Sequence, residues 1–189
     1  SQSRTGDRLG LVVFGGEAFT QCPLTSDHEL LSHFVEDVQL DMVGDGTAIG
    51  MAIATALNRL KESQAKTKLI ILMTDGDNNA GEIEPRTAAQ MAAQMGIKVY
   101  TIGVGKEGGA PVPIQDPQGH KDYARNPDGS LYLTTIDESL LKDVADLTHG
   151  AYFRATDAQA LEAVYKTINR LEKTEFKSKT HFHVREIYD

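Results

Sequence analysis

Cysteine and long apolar runs are scarce in this sequence. It contains a single cysteine, Cys22, and no apolar run that approaches about 18 residues, the length that predicts a membrane-spanning helix. One cysteine excludes an internal disulfide and a cysteine-rich zinc site. Cys22 alternates with Phe19 and its neighbours in a strand-like run, so we expect a buried, unreactive thiol. We also expect no transmembrane helix and no signal peptide within these residues.

Basic residues are in deficit as well. The chain has 19 Lys and Arg against 27 Asp and Glu, which gives a formal net charge of −8. Nucleic acids and anionic membrane surfaces do not attract an acidic protein, so we do not expect either as a partner. The charge is compatible with a bound cation or a basic partner. The length of 189 residues is enough for one domain with its own core.

The common catalytic motifs are missing too. The sequence has no G-x-S-x-G elbow, no G-x-x-x-x-G-K-[ST] phosphate loop and no zinc-protease motif. Residues 103–108 match G-x-G-x-x-G, but dinucleotide binding needs a helix directly after that motif. Gly109, Pro111 and Pro113 forbid such a helix here. The sequence therefore predicts no enzyme active site.

The most informative stretch is an apolar strand that runs into an acidic turn. Residues 69–73 (LIILM) are uninterrupted by polar residues, and Thr74, Asp75, Gly76 and Asp77 follow. Such a run is typical of a strand buried on both faces of a parallel sheet. Ligands of open α/β sheets bind beyond the carboxyl ends of the strands. Asp75 is at that position, so it is the first candidate functional residue.

The remaining patterns alternate between strands and helices. Strands are predicted at 9–14, 18–22, 98–104 and 151–155, and the first two are expected to pair as a hairpin. Helices are predicted from a capping box at 26–29 through residue 38, and at 47–60, 85–95, 137–147 and 157–172. Residues 105–126 are expected to form a loop leading into a small hairpin that ends at 130–134. This order predicts a doubly wound, mostly parallel sheet with helices on both faces.

Thr47 and Asp75 form the candidate site. Thr47 is predicted to be the first residue of a helix and Asp75 follows the end of a strand, so both belong on one rim of a doubly wound sheet. A hydroxyl and a carboxylate are hard oxygen ligands suited to Mg²⁺, which keeps several of its waters. The same residue types are also common as a helix N-cap and as a turn former. The pattern alone therefore fits either a metal site or two structural roles.

Four segments, in this order, resemble a von Willebrand factor A domain, and most closely the bacterial Bat aerotolerance subgroup. They are residues 6–16 (GDRLGLVVFGG), 45–50 (DGTAIG), 74–81 (TDGDNNAG) and 100–105 (YTIGVG). The resemblance extends from Arg4 to about Lys173 and implies a Rossmann-like sheet. We accordingly predict a domain over residues 1–173 and a tail, edge strand or juxtamembrane tether over 174–189.

The resemblance also implies a metal-ion-dependent adhesion site on the upper rim of the sheet. In that family a D-x-S-x-S motif, a later threonine and a later aspartate hold Mg²⁺, Mn²⁺ or Ca²⁺. Thr47 and Asp75 match the last two, the first as a direct ligand and the second as a ligand through water. Asp45 and Asp77 would strengthen the negative field around them. No D-x-S-x-S occurs in this sequence, so we expect weak or absent metal binding.

The family's first strand, which carries that motif, is also missing. It would lie between the strands at 9–14 and 69–73. Loss of about five buried apolar side chains would cost about 8–15 kcal/mol, as much as the net stability of a typical domain, ~5–15 kcal/mol. We therefore expect the sequence to be an excised fragment. Either the two flanking strands pair directly, or a second copy pairs with the exposed edges and gives a homodimer.

The function implied by the resemblance is a non-enzymatic protein-interaction module of a bacterial inner-membrane protein linked to aerotolerance. A carboxylate of the partner would complete the coordination of the rim metal. Implied partners are a MoxR-type AAA+ ATPase and other proteins of the same family. Two alternatives remain open at this stage: a metal-dependent hydrolase that uses Asp75 to activate water, and a purely structural domain.

Overall fold

The computed structural model describes residues 7–39, 42–106, 108–109, 111, 113–115 and 121–180. Strands and helices alternate along most of the chain, as the sequence predicts. In chain order the elements are β1 (Leu9–Phe14), β2 (Ala18–Thr25), α1 (His28–Glu36), α2 (Ile49–Leu60), β3 (Leu69–Thr74), α3 (Pro85–Gln94), β4 (Lys98–Val104), β5 (Pro113–Gln115), β6 (Lys121–Tyr123), α4 (Glu138–Leu147), β7 (Tyr152–Ala155) and α5 (Ala158–Thr180).

The central sheet is parallel and has the order β3-β4-β7. Its register pairs Leu69 with Lys98 at one end of β3 and Thr74 with Gly103 at the other. Helices α2, α3 and α4 contribute to the core on one face of this sheet, and α5 contributes to the core on the other. The predicted Rossmann-like α/β architecture is therefore confirmed. Its physical cause is that β4, with five consecutive buried residues, has to be covered on both faces.

The hairpin of β1 and β2 forms a separate antiparallel sheet. Its turn is fastened to the loop before α2: the Gly16 N–H donates to the Gly44 carbonyl (3.1 Å) and the Ala48 N–H donates to the Gly15 carbonyl (2.7 Å). Phe14 and Ala18 pack against the same core as α2. Helix α2 thus connects the hairpin to the central sheet by side-chain packing.

No strand pairing joins β1 to β3 among the described residues. The prediction that these two strands close up and pair directly is therefore wrong. The attachment of the hairpin to α2 fixes its position and leaves β3 hydrogen-bonded on one side only. Met73 is 41% exposed, so the prediction that β3 is buried on both faces is wrong at this residue. Pairing between copies stays a prediction.

Two helix starts differ from the sequence-based expectation. The N-cap of α1 is Asp27, whose carboxylate accepts from the Leu30 N–H at 2.9 Å, and not the first residue of the predicted capping box. Helix α1 buries none of its residues, and Leu30 is 43% exposed. Helix α2 begins at Ile49, two positions after Thr47. The other predicted helix starts agree to within one residue, including α3 with Pro85 in its first turn.

Helix α5 is longer than predicted and is bound to β4 through Glu172. It continues to Thr180, so the first part of the predicted tail is helical, while 181–189 lie outside the described residues. The Glu172 carboxylate accepts from the Lys98 Nζ at 3.0 Å and from the Tyr100 hydroxyl at 2.5 Å. The division at residue 173 stays a prediction. Across the described part of the chain, no helix has the length and hydropathy that a bilayer crossing requires.

Candidate functional site

Two loops meet at the carboxyl-terminal rim of the central sheet. One precedes α2 and contains Thr47; the other follows β3 and contains Asp75. A Cβ placed on Gly76 would lie 3.1 Å from the Thr47 Oγ1, so the hydroxyl touches the residue that directly follows Asp75. The structure therefore brings the two sequence-predicted site residues to the same rim, on adjacent backbone segments.

Two asparagines bind the loops to each other. The Thr47 N–H donates to the Asn79 side-chain oxygen (2.8 Å), and the Ile49 N–H donates to the Asn78 side-chain oxygen (2.9 Å). In return the N–H groups of Asn79 and Ala80 donate to the Thr47 carbonyl at 3.1 and 3.3 Å. Sequence reasoning missed this role. The Asn-Asn pair is a recognisable turn signal, but nothing local indicates which loop it binds.

The structural alternatives for the two candidate ligands do not hold. The N-cap residue of α2 is Ala48, which has no capping side chain, and Asn78 supplies the cap from the other loop. The turn after β3 is closed by the Thr74 hydroxyl, which donates to the Gly76 carbonyl and accepts from the Gly76 N–H. Among the described residues, neither the Thr47 hydroxyl nor the Asp75 carboxylate has a hydrogen-bond partner. Both oxygens are therefore available to a ligand.

Asp77 and Asp45 are the two acidic residues that the sequence analysis places beside the candidate site. One oxygen of Asp77 accepts a hydrogen bond from the Thr135 hydroxyl, and the other is buried and has no partner within the described part of the structure. Asp45 is exposed. No group of three or more His, Cys, Asp or Glu close enough to hold a metal occurs among the described residues. The hydroxyl of Thr47 and the carboxylate of Asp75 are nevertheless the oxygen donor types that a hard divalent cation takes.

A cavity of about 390 Å³ opens beside Asp75. Its walls come from the loop after β4, from residues 134–136 and from Arg154 of β7. The Arg154 guanidinium donates to the carbonyls of Gly105 (3.2 Å) and Lys106 (2.6 Å) and forms an ion pair with Glu138. Arg154 therefore braces the loop after β4.

Two groups near Arg154 have shifted pKa values. The pKa of Glu138 lies below its ordinary value, chiefly because Lys142 donates a hydrogen bond to the carboxylate and also because Arg154 does so. Burial, followed by the nearby negative charge of Glu138, raises the pKa of Tyr152. Glu138 is therefore ionised and Tyr152 is neutral around pH 7, so the ion pair between Glu138 and Arg154 persists around that pH.

Replacing Asn78 by alanine should destabilise the domain by about 1 kcal/mol, because the Ile49 N–H loses its only side-chain cap and helix caps contribute about that much. Urea unfolding followed by circular dichroism measures the change. The matched control is Asn58→Ala on the exposed face of α2, which removes no hydrogen bond described in the structure and should change stability by less than about 0.5 kcal/mol. Equal effects of the two variants would show that Asn78 does not cap α2.

Comparison with known proteins identifies the family. The family model of the von Willebrand factor type A domain matches residues 1–167. The chain belongs to this family. The fold described above, with its helix-flanked parallel sheet, is the fold of that family.

Solved structures of Bacteroides proteins are similar to this VWA domain. An aerotolerance-related membrane protein from Bacteroides fragilis, carrying multiple mutations to serine, is 33% identical with a TM-score of 0.75, over 89% of this chain and 80% of that one. The conserved hypothetical protein BatB from Bacteroides thetaiotaomicron is 34% identical with a TM-score of 0.72, over 88% of this chain and 80% of that one. The resemblance to the Bat subgroup is therefore confirmed.

Two further comparisons concern the length of the relatives and the spread of the fold. A UPF0353 protein of Nocardia farcinica is 31% identical over 86% of this chain and 50% of that protein. The chain spans about half the length of the curated relatives it matches. The proximal thread matrix protein 1 of the mussel byssus, solved with a zinc-occupied MIDAS motif, is 20% identical with a TM-score of 0.61, over 87% of this chain and 34% of that one. At that identity it shows the shared fold alone.

Proposed function

We propose that this VWA domain is a non-enzymatic protein-interaction module whose partner binds through a divalent cation on the rim. The observation that carries the proposal is the contact of the Thr47 hydroxyl with the loop of Asp75, with both side-chain oxygens unused by the described fold. A carboxylate from the partner would complete the coordination. Asp45 and Asp77 add negative charge, which attracts the cation.

Thr47 would hold the ion directly and Asp75 would hold it through water, and the ion is Mg²⁺, Mn²⁺ or Ca²⁺. The chemistry it supplies is a positive charge that accepts a carboxylate oxygen of the partner. Two protein oxygens leave the ion mostly hydrated, so this chain alone should bind Mg²⁺ with a dissociation constant of about 1 mM or weaker.

A magnesium titration followed by amide chemical shifts tests the site. In the unaltered chain the shifts should be confined to the loops around Thr47 and Asp75. They should disappear in Asp75→Ala and Thr47→Ala and persist in the control Asp146→Ala, an exposed aspartate near the carboxyl end of α4. Micromolar affinity would contradict the incomplete shell, and identical titrations of the Asp75 and Asp146 variants would contradict the site itself.

The similarity to aerotolerance-related membrane proteins supports a wider proposal about context. We propose that the domain belongs to a bacterial inner-membrane protein linked to aerotolerance, and that its partners are a MoxR-type AAA+ ATPase and other VWA proteins. Binding of the purified ATPase with and without EDTA, compared between Asp75→Ala and Asp146→Ala, tests the metal dependence. Binding unaffected by chelator and by the Asp75 change would overturn it.

A second copy of the chain is a further proposed partner. On one side, β1 and β3 pair with no strand that the structure describes, and Leu9 and Met73 are exposed, which supports pairing between copies. Sedimentation equilibrium over a range of concentrations measures the dimer. A Met73→Lys substitution should weaken it, because a charged side chain, lysine especially, beside an open strand edge opposes pairing. A monomer at all concentrations would contradict this proposal.

A further inference from the structure

The cavity beside Asp75 is lined by both apolar and charged residues. Val104 and Ile136 line it with aliphatic side chains, and Gly105, Gly108 and Gly109 line it with backbone. Gly109 has a φ of +83°, and a Cβ there would lie 2.2 Å from the Thr134 carbonyl oxygen. Only glycine permits this approach, which brings the loop after β4 against residues 133–134 and closes one side of the cavity.

The two cations at this cavity differ in what they already bind. The Arg154 guanidinium is occupied by two carbonyls and by Glu138, so it is not offered to a phosphate. Lys106 is exposed and has no ion pair with any residue that the structure describes. Asp75 lies on the wall of the same cavity. The glycine-rich segment therefore does not resemble a nucleotide site. It has one free ammonium group near a carboxylate that would carry a cation.

An exposed apolar strip adjoins the cavity. Leu131, Tyr132 and Leu133 are 37%, 54% and 39% exposed. A Cβ on Gly109 would lie 3.1 Å from Leu133 Cβ, and Leu133 forms an isolated β-bridge with Pro111, so the strip borders the loop that closes the cavity. Exposed aromatic and aliphatic side chains next to a pocket are typical of the centre of a protein interface.

We propose that this cavity receives an aliphatic side chain of the partner, adjacent in sequence to the acidic residue whose carboxylate reaches the rim cation. The occupant is thus an Asp-Leu-type or Leu-Asp-type segment. This inference rests on the proposed function, because the acidic residue needs the cation at Asp75. The charge complementarity is local: Lys106 and the cation attract the carboxylate, and Val104 and Ile136 remove the aliphatic side chain from water.

The size of the cavity agrees with such an occupant. Ligand pockets begin at about 300 Å³, and this cavity of about 390 Å³ is at the small end of that range. A pocket of that size has room for one aliphatic side chain and the backbone beside it. Burial of a leucine side chain contributes enough free energy to change the dissociation constant about ten-fold or more. The cavity would therefore determine which partner sequences bind at the rim.

Blocked tetrapeptides of the form Gly-Asp-Leu-Gly and Gly-Leu-Asp-Gly are the probes, and amide chemical shifts of this chain are the readout. Matched peptides replace Leu by Ser or Asp by Asn, and each titration is run with MgCl₂ and with EDTA. We expect the better leucine peptide to shift the amides of residues 104–109 together with those of the rim. The serine peptide should bind about ten-fold more weakly.

The structure offers a closely matched pair of variants. Gly108 and Gly129 have φ values of +87° and +84°, and a Cβ on either would meet no heavy atom within 4 Å. Only Gly108 lines the cavity. Gly108→Asn should therefore narrow the cavity and weaken the leucine peptide about ten-fold, and Gly129→Asn should carry the same backbone strain and leave binding unchanged.

The outcomes separate this inference from the proposed function. Equal affinity of the leucine and serine peptides, or equal effects of Gly108→Asn and Gly129→Asn, would overturn the aliphatic pocket. If magnesium and the aspartate of the peptide still increase binding in that case, the proposed metal-dependent binding at the rim holds without the aliphatic pocket. If leucine matters but magnesium and the aspartate do not, the cavity is a pocket for an apolar side chain, and the metal-dependent proposal and its carboxylate partner fail.

Discussion

Gly50→Ala should destabilise the domain by about 2 kcal/mol, although alanine is the better helix former by about 1 kcal/mol. Gly50 lies in the first turn of α2, where a Cβ would be 1.9 Å from the carbonyl oxygen of Ile83 and 2.7 Å from its carbonyl carbon. Both atoms are backbone, so no side-chain rotation removes the overlap. Overpacking of this kind costs about 1–3 kcal/mol or more, and we expect the upper end here. The better helix propensity of alanine offsets about 1 kcal/mol of that cost, which leaves the net loss of about 2 kcal/mol.

Movement of α2 does not relieve the overlap cheaply. The Ala48 N–H is bonded to the Gly15 carbonyl on one side and Asn78 caps Ile49 on the other, so a shift of the helix breaks contacts with two loops. Because Thr47 directly precedes these residues, the same shift would displace its hydroxyl from the loop of Asp75. We therefore expect Gly50→Ala to lose its magnesium-dependent amide shifts together with stability.

Urea denaturation at fixed pH measures this loss, and Gly96→Ala is its control. Gly96 follows α3 with a φ of +65° and has open space around the position of a Cβ. Its replacement introduces only the strain of a left-handed residue, about 1 kcal/mol, with no steric contact. If Gly50→Ala were as stable as the unaltered chain, the close approach of α2 to the turn before α3 would be wrong.

The elements that the sequence predicts best are those with signals at both ends. Strand β4 agrees with its prediction at both residues, Lys98 and Val104, because an apolar run is bounded by a glycine before it and by a glycine-rich loop after it. Helix α3 has proline in its first turn and Gly96 beyond its end. Such signals involve residues close together in the chain, so they can be recognised from the sequence without knowledge of the tertiary structure.

Other features depend on segments distant in sequence, and there the prediction fails or is silent. The apolar run of β3 is compatible with burial on both faces, but whether Met73 is covered depends on which strand lies beside it. Thr47 is a residue type that commonly starts a helix, yet α2 begins two residues later. The cap of α2 comes from Asn78, which is 29 residues away from the N–H that it binds. No local pattern encodes such pairings.

The attachment of α5 is another long-range feature. Glu172 is 6% exposed, and its carboxylate accepts from Tyr100 and Lys98, which are 72 and 74 residues away in the chain. The sequence predicts the helix around Glu172 but gives no reason to place a charged residue inward. The buried carboxylate thus has two hydrogen-bond donors, one of them positively charged, which is the usual condition for a buried charge.

Glu172→Ala should therefore destabilise the domain by about 3 kcal/mol, because it removes the buried carboxylate that accepts hydrogen bonds from Tyr100 and Lys98. The matched control is Glu162→Ala on the same helix. Its ion pair with Lys166 is exposed, with 67% and 74% of the two side chains accessible, and exposed pairs contribute less than about 1 kcal/mol. Both variants remove one negative charge, so the difference reports burial.

Chemical denaturation at low and high salt distinguishes the two pairs further. Salt screens the exposed Glu162 pair and should abolish its small contribution, whereas the Glu172 effect should persist because the surrounding protein excludes the ions. Glu172→Gln should give an intermediate loss, since the amide oxygen still accepts from the Tyr100 hydroxyl while the charge opposite Lys98 is gone. Equal, salt-sensitive losses for Glu172→Ala and Glu162→Ala would mean that Glu172 faces solvent and that α5 is held to the sheet by its apolar residues alone.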